Sequence, residues 1–516
     1  MLSSIVTGAI QGVESFIVNV EVNLAAGLPA FTVVGLPQGA VREGRERVAA
    51  ALRNTGRPIP VRRVTVNLAP GNVRKEGTGF DLPIAVGLLV ATGVIDRTAV
   101  EGRAFVGELG LDGALKPVRG VLSMTAAFAK AEIATVFLPA ANAPEASVVG
   151  GIEVRAASSL AEVLACLCEG ASLPSVSVDP AGLIDTRDAD IPDLSDVRGQ
   201  ALAKRALEIA AAGGHNLILV GPPGTGKTML ARRLEGILPP LSVEEAVETT
   251  EVHSVAGELP DGAALVTRRP FRSPHHTVSY AGLIGGGAPI RPGETSLAHN
   301  GVLFLDELAE FRRSVLDVLR QPLEEGTVRI SRARAAARFP ARFMLVAAMN
   351  PCPCGFSGDG SGRCICEPNQ VRRYLGRISG PLLDRIDLHA QLAVVPFDRL
   401  VEEAAGVSSP GLRRCVIAAR KVQAERLAEG SGSRVATNAE MGAKALRRWC
   451  RPSPSVAHLL QKAVDRLNFS ARAYHRILKV ARTVADLASE RDLREEHVLE
   501  ALQFRTLDRG PGQSEA

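Results

Sequence analysis

The chain has 516 residues, 46% of them hydrophobic and 22% charged, a composition ordinary for a soluble globular protein and a length that calls for about two to four domains rather than one core. The net charge of +5 permits a polyanionic partner without arguing for one. No charged-then-apolar leader stands at residues 1–5 and no apolar run is long enough to span a bilayer. The expectation is therefore a cytoplasmic protein without a membrane partner, whose cysteines are thiols or metal ligands rather than disulfides.

Residues 1–168 alternate short β-like runs, such as 16–22 (FIVNVEV), with helical stretches such as 41–52, and predict one α+β domain. Residues 169–192 are rich in Ser, Pro, Gly and Asp and read as a linker. From 193 to 396 the runs 217–220, 302–305 and 343–347 are apolar throughout, as expected of a parallel sheet covered on both faces. Residues 397–509 have a helical pattern, and 510–516 form a polar tail. The expected class is α/β, with a parallel-sheet core between an α+β domain and a helical one.

The first of those strands runs into Gly221, Pro222, Pro223, Gly224, Thr225, Gly226, Lys227 and Thr228 (GPPGTGKT), followed by a helical stretch. Strand, glycine-rich loop and helix in this order make a phosphate-binding loop. Backbone N–H groups cradle phosphate oxygens, Lys227 reaches the β/γ-phosphates, and the Thr228 hydroxyl ligates Mg²⁺. The expected cofactors are ATP and Mg²⁺. The second strand ends in Asp306 and Glu307. Asp306 is placed to help hold Mg²⁺ through its water shell and Glu307 to polarise the attacking water as general base. The third strand leads to Asn350, at the end of a parallel-sheet strand where ligand crevices lie, a position that suits orienting that water. Farther on, Arg385 is a candidate arginine finger, with an ion pair to Asp384 or Asp387 as the alternative, and Arg472 is a candidate nucleotide contact from the helical region.

Directly after Asn350, Cys352, Cys354, Cys364 and Cys366 form two C-x-C pairs separated by nine residues. Four thiolates so close suit a tetrahedral structural Zn²⁺ with no open position for catalysis, the alternative being reduced, unliganded thiols. His275 and His276 lack a third ligand at metal-binding spacing and read as structural. Between the acid pair and Asn350, the run 329–338 carries Arg332, Arg334 and Arg338, flanked by hairpin-like strands. These arginines suit phosphate contacts to DNA, the alternative being a solvated face. With so little aromatic interleaving, base stacking is not expected there.

GPPGTGKT, VLFLDE, the Asn350 strand end and LLDRIDL in this order resemble an AAA+ ATPase. The motifs 271–277 (FRSPHHT), 285–287 (GGG), 291–294 (RPGE), 296–301 (SLAHNG), 350–355 (NPCPCG) and 470–483 (SARAYHRILKVART) resemble its Mg-chelatase branch, and the YifB/ComM family within it. N-terminal stretches 31–37 (FTVVGLP), 66–70 (VNLAP) and 107–113 (GELGLDG) agree, so the resemblance covers nearly the whole chain. It implies a sensor 1 role for Asn350, an arginine finger in Arg385, a sensor 2 role for Arg472 and a helical lid over 397–509. It implies a homo-hexameric ring acting on single-stranded or branched DNA without sequence preference, as a branch-migration helicase in natural transformation. In this branch the 329–338 hairpin and the insertion holding Gly285–Gly287 point toward the ring's pore. Residues 1–168 also resemble a Lon-protease domain of the ribosomal S5 domain 2-like fold. There the positions of the catalytic Ser and Lys hold Ile84 and Leu122, which can neither attack a carbonyl nor move a proton. The expectation is an inactive scaffold. The alternative function is a chelatase-like or protein-remodelling ATPase without DNA activity.

Overall fold

A computed structural model of the chain describes residues 2–184, 191–332, 335–396, 406–429, 436–467, 469–505 and 507. The N-terminal strands are β1 (Leu2–Gln11), β2 (Glu14–Ala25), β3 (Ala30–Val34), β4 (Arg63–Ala69), β5 (Arg103–Phe105), β6 (Glu108–Leu109), β7 (Leu115–Lys116), β8 (Thr135–Pro139) and β9 (Glu153–Ala157). Seven of them make a mixed sheet in the order β3-β4-β2-β1-β5-β8-β9. β1 and β2 form a long hairpin from Leu2↔Asn23 to Gln11↔Glu14. The alternation of buried valines at 18, 20 and 22 with more exposed residues turns one face of β2 onto helices Gly39–Asn54 and Asp81–Ala91. Helix Val121–Lys130 joins a second cluster with Val136 and Val154.

Ile84 and Leu122, the residues at the protease-dyad positions, are both buried. Leu122 belongs to an apolar cluster shared with Leu241, Ala246 and Leu265 from beyond the linker. Next to it the Gly120 N–H donates to Ser254 Oγ, which in turn donates to Glu145 at 2.6 Å. The first part of the 169–192 segment is also docked: Leu173 is buried and its carbonyl accepts from Arg155.

Beyond residue 191 come β10 (Leu217–Val220), β11 (Phe271–Arg272), β12 (Gly285–Gly286), β13 (Arg291–Pro292), β14 (Val302–Leu305), β15 (Thr327–Arg332), β16 (Ala335–Pro340), β17 (Met344–Met349) and β18 (Leu388–Gln391). Five form a sheet in the order β11-β14-β17-β10-β18, parallel throughout. β10, β14 and β17 are buried at every position, which explains their unbroken apolar runs. The carboxyl ends of β10, β14 and β17 bring Gly221, Asp306 and Asn350 to one edge, where open α/β sheets bind ligands. Because β17 lies between β14 and β10, Asn350 stands between the loop and the acids.

β12–β13 and β15–β16 are separate antiparallel hairpins. Helices Ser409–Ala428, Ala443–Trp449, Pro454–Leu467, Ala471–Leu487 and Glu495–Gln503 follow, and share one core with helix Ala201–Gly213 and the sheet. Among the described residues no helix is long and apolar enough to cross a membrane.

Candidate active site

The loop after β10 is shaped by what glycine permits. Gly224 and Gly226 have φ of +79° and +86°, and a side chain at Gly221 would strike the Leu392 carbonyl. Thr225 Oγ1 donates to the Pro222 carbonyl at 2.8 Å, closing the turn from within. Helix Lys227–Arg232 starts at the loop's end. Lys227 Nζ donates to the carbonyls of Gly221 (2.7 Å) and Pro222 (2.9 Å) and to Asn350 Oδ1 (3.1 Å). Burial lowers the Lys227 pKa, against the opposing field of Asp306. An ammonium folded back on its own loop could exchange these oxygens for those of a bound anion.

Thr228 Oγ1 donates to Asp306 Oδ2 at 2.6 Å. A hydroxyl and a carboxylate at this separation are the hard oxygen donors that Mg²⁺ takes in phosphate sites, so the pair fits that ion. Glu307 follows with φ +52°, a left-handed conformation rare for a residue with a side chain and typical of functional sites. Its carboxylate, 58% exposed, lies 3.3 Å from His276 Nδ1. The His276 ring is fixed by His275 at 4.1 Å and by the edge of buried Phe311. His276 therefore touches the candidate base, a role its sequence pattern did not suggest. The extension of β11 past Arg272 brings it there, because β11 pairs with β14.

Gln200 is a second residue that sequence reading missed. Its Nε2 donates to the Thr225 carbonyl (3.2 Å) and the Ala393 carbonyl (2.8 Å), tying the phosphate loop to the segment after β18. Its position, φ +56° at the entry to a helix, carries no local motif.

Arg385 is nearly buried. It is ion-paired with Glu324, and its Nη1 donates to the Pro381 carbonyl. Its partner comes from 61 residues earlier rather than from Asp384 or Asp387. Asp387 instead takes Arg476 and His215. Arg472 is exposed on the first turn of helix Ala471–Leu487, while Arg476, one turn on, reaches the core. Arg476 also donates to the Arg385 carbonyl at 3.3 Å, as does Asn216 Nδ2 at 2.9 Å. The helical region and the start of β10 thus both grip the backbone of Arg385.

The four sulfurs of Cys352, Cys354, Cys364 and Cys366 lie within 4.8 Å of one another. Measured separations are 3.3 Å (352–354), 3.8 Å (352–364) and 3.6 Å (354–364). Tetrahedral zinc–thiolate bonds of about 2.3 Å require sulfurs about 3.8 Å apart, so the cluster fits Zn²⁺. Backbone N–H groups of Phe356 and Ile365 lower the Cys354 thiol to about 6, whereas Cys364 and Cys366, despite backbone N–H bonds of their own, are raised by burial and by bonds to the neighbouring thiols, so the support for a metal is the sulfur geometry. The loop abuts the phosphate-binding loop, since a side chain at Gly355 would meet Pro223 at 2.6 Å.

On β15–β16, Arg329 lies directly opposite Arg338, and both are exposed, as is Arg332. Arg329 is ion-paired with Glu325 at 3.8 Å, which offsets part of the repulsion from the like charge opposite. Arg334 lies outside the described residues. The opposite face, with Val328, Ile330 and Phe339, packs on Ile284. A side chain at Gly286 would lie 3.1 Å from Arg332, so the two hairpins touch.

Three families match successive parts of the chain: subunit ChlI of Mg-chelatase over residues 20–142, magnesium chelatase subunit ChlI over 193–400, and the C-terminal ChlI family over 406–505. The chain is 44% identical to the competence protein ComM of Haemophilus influenzae, over 98% of each. It is 43% identical to the YifB protein of Salmonella typhimurium, again over 98% of each. The magnesium-chelatase 38 kDa subunit of Rhodobacter capsulatus is 30% identical over 30% of this chain and 49% of its own length.

Proposed function

The chain belongs to the ComM/YifB family of Mg-chelatase-like AAA+ ATPases, and from that premise we propose that it is an ATP-hydrolysing ring motor that moves on DNA. The observation carrying the ATPase reading is the convergence of Lys227, Thr228, Asp306 and Asn350 within hydrogen-bonding distance at one sheet edge. Lys227 releases its loop carbonyls to hold the β/γ-phosphates, while Thr228 and Asp306 hold Mg²⁺, which neutralises phosphate charge when bound. Glu307 takes the proton of the attacking water, and Asn350 orients that water. Arg385 acts in trans as the finger, exchanging Glu324 for a neighbour's γ-phosphate, which calls for a closed ring, a homo-hexamer in this family. Arg472 contacts the nucleotide as the 397–509 helices close as a lid. Residues 1–168 serve as a scaffold of Lon-protease-like fold without protease activity, because Ile84 and Leu122 are buried hydrocarbons. The protein works in the cytoplasm.

The competence role in the name of the Haemophilus relative, together with the opposed Arg329 and Arg338, supports DNA as the track, in branch migration during recombination of incoming DNA. Contacts through arginines to phosphates are insensitive to sequence and weaken with salt. ATP hydrolysis is expected to rise several-fold with forked or single-stranded DNA, and the gain to fade as salt increases. Hydrolysis indifferent to DNA at low salt would instead favour a chelatase-like or protein-remodelling ATPase, the second reading, which the ChlI matches support.

Cys352, Cys354, Cys364 and Cys366 hold a structural Zn²⁺ that braces the loop against Pro223. Elemental analysis is expected to find about one zinc per chain. Cys364→Ser is expected to lose the metal and about 2 kcal/mol of stability, a melting-point drop of about 4–8 °C. Metal-free protein with an unchanged melting point in the variant would show the thiols to be unliganded.

A further inference from the structure

We infer that the groove between helix Tyr280–Ile284 and the base of the β15–β16 hairpin is a subsite for one nucleobase of single-stranded DNA, with the Tyr280 ring as its stacking surface. The inference rests on the DNA reading above and adds to it a base contact where the arginine pattern alone suggests only phosphate contacts.

The groove encloses about 210 Å³ and is lined by Tyr280, Ile284, Arg320, Gln321, Val328 and Arg329, among others. That volume falls below the range of about 300–1,000 Å³ usual for cofactor and drug-sized ligands, and suits a single planar ring. Tyr280 is 55% exposed, although a tyrosine ring without a partner favours burial. Of the other two tyrosines, Tyr374 is buried and Tyr474 half-buried. Ile284 and Val328 are buried in the apolar cluster beneath the groove and form its rigid floor.

The polar groups match its edge and its backbone. Gln321 Nε2 donates to Glu325 at 3.3 Å, which leaves its Oε1 as an acceptor for the base edge. Arg320 is held by Asp317 and Ser379, so the one acid of the groove is already neutralised, while Arg320 Nε is buried without a hydrogen-bond partner. Just outside, exposed Arg338 stands opposite Arg329, and the two offer a site for the adjoining phosphate once Arg329 turns from its exposed ion pair with Glu325. One aromatic face beside fixed donors and a cationic rim is the arrangement by which proteins hold single strands without reading sequence. A protein partner would have to bring both an acidic side chain for the arginines and a planar ring for Tyr280, whereas every nucleotide carries a phosphate and a base together.

The test compares binding of oligo-deoxythymidine with that of an abasic strand of equal length, using the full-length protein with assembly state monitored by light scattering. Stacking of one base corresponds to about a tenfold preference for the base-bearing strand. Tyr280→Ala should collapse that ratio to about one, and Tyr280→Trp should retain it. Arg338→Ala should lower both affinities while keeping the ratio. A Tyr280→Ala protein that keeps the wild-type ratio overturns the subsite and leaves the DNA reading intact. One that changes the assembly state and not the ratio makes Tyr280 a subunit contact and also overturns it. Wild-type protein that binds neither strand removes the DNA reading itself.

Discussion

Glu307→Gln is expected to lower the rate of ATP hydrolysis by about 10²–10⁴-fold, the usual loss when a general base is removed. Nucleotide binding should persist, because Lys227, Thr228 and Asp306, the groups proposed to meet phosphate and Mg²⁺, make no bond to the Glu307 side chain. Gln keeps the size of the side chain and its contact with His276, so the loop has no reason to rearrange. Single-turnover hydrolysis separates the two effects: the bound ATP fraction stays near wild type while the chemical step slows. A variant that turns over within a few-fold of wild type would remove Glu307 from the base role. Lys227→Ala gives the opposite split, losing affinity first.

Asp387→Asn is expected to be the most destabilising single-charge change in the ATPase region, at about 2–4 kcal/mol. Asp387 is 3% exposed and accepts from the Asn216 N–H, His215 Nδ1 and Arg476. His215 continues to Thr483, and Thr483 to Asn438, so the network joins β10 and β18 to the C-terminal helices. Removing the carboxylate charge leaves Arg476 without its counter-ion at that junction. The melting point of the ATPase region should fall by about 5–10 °C.

The same residue predicts a pH dependence. Burial raises the Asp387 carboxyl, but Arg476 and His215 more than offset this, and the group is held well below the ordinary carboxylate range. A depressed pKa in the folded state contributes stability that is complete above the unfolded value of about 3.9 and is lost as pH falls below it. The gap between wild type and Asp387→Asn should therefore be full at neutral pH and narrow below pH about 4. A gap of constant size across that range would show that the variant acts through packing rather than charge.

The phosphate loop, the acid pair, Asn350 and the four cysteines were legible because each is a short-range pattern. A glycine loop must follow its strand immediately, Asp306 and Glu307 must end a buried strand, and the two C-x-C pairs lie close enough in the chain for their four sulfurs to meet. The parallel sheet was legible for a similar reason, since strands covered on both faces are apolar at every position. The 169–192 segment was only partly legible: its Ser/Pro/Gly content reads as linker, yet Leu173 is buried against the first domain.

What the sequence by itself determined is which residues gather at the carboxyl end of the parallel sheet, because those residues are placed by covalent adjacency and local backbone geometry. What only the tertiary structure decided is which distant group meets them. His276 reaches Glu307 through the pairing of β11 with β14. Gln200 braces the phosphate loop from 25 residues away, and Arg385 chooses Glu324 over its own acidic neighbours. Tyr280 joins Arg329 in one groove although no aromatic residue interrupts the arginine run. Such pairings are set by strand order and packing, and leave no periodicity in the chain for a sequence reading to find.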